Sequence, residues 1–156
     1  MRDVRFVAGH FVRKDGMMDV CLRVELPLPL AKGLNPNGSM VSRWTVAKDR
    51  AAARELALRE TRYMLDAYGM TAADCAGFNR YTLMWCWCGH CCDDDNALAR
   101  CKSYKDGCCD AMGINDRQLS CAGIRLQEVP HMKERKVVLR FWREEEKPDD
   151  FELVAQ

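Results

Sequence analysis

Long apolar runs are missing from this chain of 156 residues. A membrane-spanning helix needs about 20 consecutive apolar residues. The runs here are short and broken, so no transmembrane segment and no membrane partner are expected. The first residues, with Arg2, Asp3, Arg5 and His10, hold no apolar core of signal-peptide length. No secretion signal is therefore read, and the expected location is the cytoplasm. A surplus of one charge is missing too, since 24 Lys and Arg stand against 23 Asp and Glu for a formal net charge of +1. Overall positive charge then cannot drive nucleic-acid binding, and any such role must rest on how the charges are distributed. Glycine and proline are absent from Ser42 to Tyr68. That excludes a turn there and predicts one long helix.

What is present is ordinary for a globule, with 48% hydrophobic and 30% charged residues. The length suits one domain with a real core. Ten cysteines would suggest disulfides in a secreted protein. Without an export signal they read as free thiols in a reducing compartment.

Phe6, Val7, Phe11 and Val12 fit a short hairpin with its turn at Lys14-Asp15-Gly16. Residues 1–18 form an N-terminal extension to which no chemistry is assigned. Val20, Leu22, Val24 and Leu26 alternate as a half-buried strand that Pro27 and Pro29 end. Residues 30–41 are turn-rich. On the helix that follows, Val46, Ala53, Met64 and Ala67 make an apolar stripe flanked by Leu56 and Tyr63. Arg43, Arg50 and Arg54 share another face with Ala47 and no acid. Lys48 lies off it with Glu55, Arg59 and Arg62, a mixed face that reads as solvated. Tyr81, Leu83, Trp85 and Trp87 alternate along a strand from Arg80 to Cys88 and read as core packing. Residues 124–129 and 136–143 read as an antiparallel hairpin. Residues 144–156 read as an acidic tail.

The chain turns on Asp93-Asp94-Asp95-Asn96 and the residues after it. Three consecutive carboxylates need solvent, a helix N-terminus or a cation to offset their repulsion. A strand precedes them, and a helix over 96–112, ended by Gly113, follows. Asp93 and Asp95, two apart on extended chain, point to one side. Asp94 points to the other and reads as a cap. Asp95, Lys102 and Asp106 return to one azimuth of the helix. Asp116 follows a short link able to fold back. Two readings stay open on spacing: a solvated capping turn, or a hard-oxygen site of Asp93, Asp95 and Asp116 with Lys102 beside it, suited to Mg²⁺. Cys86, Cys88, His90, Cys91 and Cys92 are zinc-competent types, although no second knuckle lies at zinc-finger distance. The alternative they support is a zinc-stabilised DNA-binding module without catalysis.

The pattern Asp-Asp-Asp-Asn, Lys-x-x-x-Asp-Gly and Asp-Ala-x-Gly-Ile-x-Asp resembles the RusA-like family of Holliday-junction resolvases. Asn35-Pro36-Asn37 with Arg43-Trp44 and the basic helix is similar to that family's N-terminal segment. The resemblance covers roughly residues 20–143. It implies an α+β nuclease domain over 19–143, a small mixed or antiparallel sheet of about four or five strands covered by two helices. It further implies a homodimer that binds four-way junctions and other branched DNA and cleaves it with one or two Mg²⁺ ions per site. Asp93, Asp95, Lys102 and Asp116 form the implied catalytic set. Asn37, Arg43, Lys48, Arg50 and Arg54 are the implied DNA contacts. The cysteine-rich loop departs from the family, which often carries a basic loop there.

Overall fold

The computed structural model describes residues 6–7, 10–12, 18–38 and 40–144. Alternating segments become strands β1 (Phe6–Val7), β2 (His10–Val12), β3 (Met18–Leu26), β4 (Arg80–Trp87), β5 (Ser120–Glu128) and β6 (Lys136–Trp142). Helices are α1 (Arg43–Tyr68), α2 (Ala72–Cys75), α3 (Asp94–Arg100) and α4 (Lys102–Met112). The fold is α+β, with one mixed sheet in the order β1-β2-β3-β6-β4-β5. No helix among the described residues is long and apolar enough to cross a membrane.

One face of the sheet meets the helices. Leu22, Val24 and Leu26 of β3, Val137, Leu139 and Phe141 of β6, and Tyr81, Leu83 and Trp85 of β4 form a single buried cluster with Ala53, Ala57, Leu65, Tyr104, Cys108 and Met112. Period-two alternation thus places the core as expected. Ser42 caps α1, its Oγ accepting from the Thr45 N–H at 3.1 Å. The helix ends at Gly69, whose φ of 63° is a left-handed cap that costs glycine nothing. The Met70 N–H then reaches back to the Leu65 carbonyl at 2.9 Å.

Four sequence expectations change. First, β5 and β6 do not form a hairpin. β5 runs parallel to β4 at the sheet edge, and β6 lies antiparallel between β3 and β4. The reason is composition. Val137, Val138, Leu139, Phe141 and Trp142 are buried in succession, a run that demands cover on both faces. β5, with Ser120, Gly123 and Arg125 exposed, tolerates an edge. The β4–β5 link carries α3 and α4, the kind of long crossover that parallel strands require.

Second, the 96–112 helix is two helices that meet at Cys101, which has φ −89° and ψ 0°. Third, the buried stripe of α1 is Ala53, Ala57, Thr61 and Leu65. Val46 and Met64 are only half-buried, and Tyr63 and Ala67 are exposed. Small residues win this face because α4 packs directly on α1. At Gly107, a Cβ would sit inside contact distance of the Arg54 carbonyl oxygen and 2.8 Å from the Ala57 Cβ. Glycine in mid-helix costs up to about 1 kcal/mol against alanine, and this close approach is what it permits. Fourth, Glu144 belongs to the fold. It pairs with Arg80 at 2.6 Å, and its N–H donates to Asn79 Oδ1 at 2.8 Å. The turn at Lys14-Asp15-Gly16 and the rest of the acidic tail lie outside the described residues. β3 starts at Met18 and pairs with β2, so the sheet runs across the boundary drawn between extension and domain.

Candidate functional site

The acidic run sits where expected, at a strand-to-helix junction, but with its roles exchanged. Asp93 is the cap of α3, its Oδ1 accepting from the Asn96 N–H at 2.8 Å. Asp94 and Asp95 occupy the first helical turn. Asp94 is therefore not the cap, and the alternation of Asp93 and Asp95 on extended chain does not apply. The helix begins one residue after Asp93, because an Asp cap with acids behind it is what a helix N-terminus favours.

The loop before α1 folds against this turn. Asn37 Nδ2 donates to Asn96 Oδ1 at 3.4 Å, and the Asn37 N–H donates to Asn35 Oδ1 at 3.0 Å. The loop is tied to α1 as well, through the Gly33 N–H and Asp49 Oδ2 at 2.8 Å. Between loop, α1 and the α3–α4 joint lies a cleft of about 610 Å³. Asn35, Pro36, Arg50, Arg54, Lys102 and Asp106 line it. A second cavity of about 410 Å³ shares Arg54, Lys102 and Asp106 and adds Asp110 and Asp116.

Arg54 stands where the two cavities meet. Its Nε donates to Asp110 Oδ2 at 2.6 Å and its Nη2 to Asp110 Oδ1 at 2.8 Å. This fork fixes the guanidinium plane. The hydrogen bond to Asp110 comes first among the causes that raise the Arg54 pKa, and the charges of Asp110, Asp106 and Asp116 add to it. The same bond lowers the pKa of Asp110. Lys102 pairs with Asp106 at 3.2 Å, one helical turn on. Asn115 holds Asp116 in place, its Oδ1 accepting from the Arg117 N–H at 3.0 Å. Cys109 forms a buried wall of this cavity. Burial pushes its thiol up to about 12, and Asp116, Asp106 and Asp110 push the same way.

Lys102 and Asp116 thus share one cavity with Arg54, and Arg50 and Asn35 border its neighbour. Asp93 and Asp95 line neither cavity. Among the described residues, no group of three or more His, Cys, Asp or Glu is arranged to hold a metal ion. Neither Asp93, Asp95 and Asp116 nor Cys86, Cys88, His90, Cys91 and Cys92 stand together as such a group. Cys86 is buried with Met84 and Val138 on the other face of the sheet. Cys91 Sγ donates to the carbonyl of Cys92 at 3.1 Å. All ten cysteines are free. Arg43 and Lys48 are exposed on the first two turns of α1.

Sequence reasoning missed Asp110 as the partner of Arg54. Fifty-six positions separate the two, and no local spacing signals the pair. The Lys102–Asp106 pair was legible in its i,i+4 step.

No protein-family model matches the chain. Over 39 residues, a quarter of its length, the chain is 51% identical to an uncharacterized protein of Xylella fastidiosa (strain Temecula1 / ATCC 700964). The match spans 26% of that protein.

Proposed function

We propose that the chain is a Mg²⁺-dependent endonuclease of the RusA-like kind that cleaves branched DNA such as four-way junctions. The observation that supports this reading is convergence. Asn35 and Pro36 of the loop, Arg50 and Arg54 of α1, and Lys102, Asp106 and Asp116 are far apart in sequence. They meet around one double cleft.

The donor chemistry fits the metal. Mg²⁺ prefers carboxylate oxygen and is commonly held by one or two carboxylates with water and substrate phosphate. The ligands we assign are Asp93, Asp95 and Asp116, which do not stand together in the structure and would have to close on the ion. When bound, the ion would supply a water that is nucleophilic near neutral pH and a counter-charge on the phosphate. The chain's own residues do the rest. Arg50 and Arg54 grip backbone phosphates, with Arg43 and Lys48 extending the track along α1. Arg54 is pre-oriented by Asp110. Asn37 meets the sugar-phosphate backbone from the loop. Lys102 offers its ammonium to the scissile phosphate or the departing oxygen. Paired nicks in a two-fold junction need two sites, so the acting species is a homodimer. Ten free thiols suit the reducing cytoplasm.

The test is incubation of the full chain with a labelled four-way junction. Cleavage is expected with Mg²⁺, and binding with little cleavage in Ca²⁺. Asp95→Asn and Asp116→Asn are each expected to abolish cleavage while junction binding persists. Cleavage by either variant at the wild-type rate overturns the site, and a wild type that never cuts a junction overturns the reading.

A further inference from the structure

Trp44 stands in the first turn of α1 with 72% of its surface exposed, and Met40 just before it is 96% exposed. Two other tryptophans, Trp85 and Trp142, are buried at 3% and 2%, and Trp87 packs against the core. Nine residues separate Trp44 from the buried Ala53, about half a turn of azimuth on the wheel. The ring therefore points directly away from the core.

Its surroundings are cationic. Lys48 holds its ammonium 5.2 Å from the ring centroid, and Arg43 and Arg50 are exposed within two turns. Asp49 is the sole acid from Arg43 to Arg54. Its carboxylate accepts from the Gly33 N–H at 2.8 Å, and five residues on from Trp44, about 140° round the wheel, it lies off the tryptophan's face. The platform is also held firmly. Ser42 Oγ accepts from the Thr45 N–H at 3.1 Å and lies 2.9 Å from Thr45 Oγ1. An exposed aromatic set among cations on a capped turn is the pattern by which proteins stack a nucleic-acid base and hold its neighbouring phosphates.

We propose that Trp44 is a stacking platform for an unpaired base at the branch point, with Lys48 and Arg43 taking the adjoining phosphates. The inference rests on the branched-DNA reading and names which part of that substrate this surface takes. A duplex hides its base faces, so stacking on Trp44 favours substrates with unpaired bases. A fully paired four-way junction meets that condition only where base pairs at its crossover open.

The test compares wild type, Trp44→Ala and Trp44→Phe on three fluorescein-labelled DNAs. These are a single strand, a four-way junction with unpaired nucleotides at its centre, and a fully paired duplex. Equilibrium anisotropy without divalent metal reads affinity. Thermal melting checks the fold, which an outward-facing side chain should leave unchanged. Trp44→Ala is expected to weaken binding to the single strand and the open junction by roughly tenfold or more. Duplex affinity should stay the same, and Trp44→Phe should recover most of the loss. Equal losses on all three DNAs, or none, overturn the inference. So does a dimer that falls to monomer in Trp44→Ala, because the surface is then a protein interface. A wild type that binds none of the three overturns the nuclease reading along with this one.

Discussion

Gly107 offers the sharpest test of how the two cavity walls are joined. In an exposed helix, Gly→Ala stabilises by about 0.8–1 kcal/mol through helix propensity. Here the added Cβ lands 2.8 Å from the Ala57 Cβ and 3.0 Å from the Arg54 carbonyl carbon, with the Arg54 oxygen closer still. Carbon pairs settle at about 3.5–4.0 Å, so α4 must back away from α1 by roughly half an ångström or more. The obstacle is backbone in the middle of a long helix, which cannot swing aside as a side-chain end can. Overpacking of this kind costs about 1–3 kcal/mol. With a backbone partner we take the upper end, and subtracting the propensity gain leaves a net loss of about 2 kcal/mol. For a domain of this size that lowers the melting temperature by roughly 4–8 °C. Thermal and urea melts of Gly107→Ala against wild type measure it. A variant that melts at or above the wild-type temperature refutes the reasoning, because it would mean that the helices do not touch there.

Asp110→Asn tests the fork on Arg54. The Asp110 pKa is lowered in the folded state by its hydrogen bond to Arg54. Its contribution is therefore present above the unfolded value of about 3.9 and lost as pH falls through the lower folded value. Urea stability should differ between wild type and variant by about 0.2–1 kcal/mol at neutral pH, and the gap should narrow as pH falls below the unfolded value of about 3.9. A gap that widens on acidification contradicts the assignment. Thiol labelling under native conditions should begin at the exposed Cys121 and end at the buried Cys21, Cys101 and Cys108. Burial pushes the Cys21 and Cys108 thiols up to about 12, which starves them of thiolate. Early loss of Cys108, with Cys121 still intact, contradicts the packing.

Period and punctuation carried much of the fold. Strands β3, β4 and β6 follow from alternation. Helix α1 follows from 26 residues without glycine or proline, set between a serine cap and a glycine stop. The same local chemistry placed the acidic run at a helix start and let Gly113 close α4, where its φ of 70° provides the left-handed cap. Such features depend on residues within one or two turns of each other, so one sequence read along its length exposes them. The pairing of β5 escaped that reading because strand order depends on which strands can bear cover on both faces. That comparison is made across the whole sheet. The exchange of Asp93 and Asp94 as cap turned on a single residue of helix start, which spacing does not resolve.

The sequence by itself determined which residues have chemistry to offer: the aspartates, Lys102 and the arginines of α1. Only the tertiary structure decided their company. The closeness of α1 and α4, set by Ala53, Ala57 and Gly107, brings Arg54 onto Asp110 across 56 positions. The turn after Gly113 brings Asp116 into the cavity of Lys102 and Asp106, while Asp93 and Asp95 stand apart from it. Long-range packing of small residues leaves no periodic trace in a sequence. It nevertheless sets which charges lie within a few ångströms of one another, and at that range electrostatics and hydrogen bonding become specific.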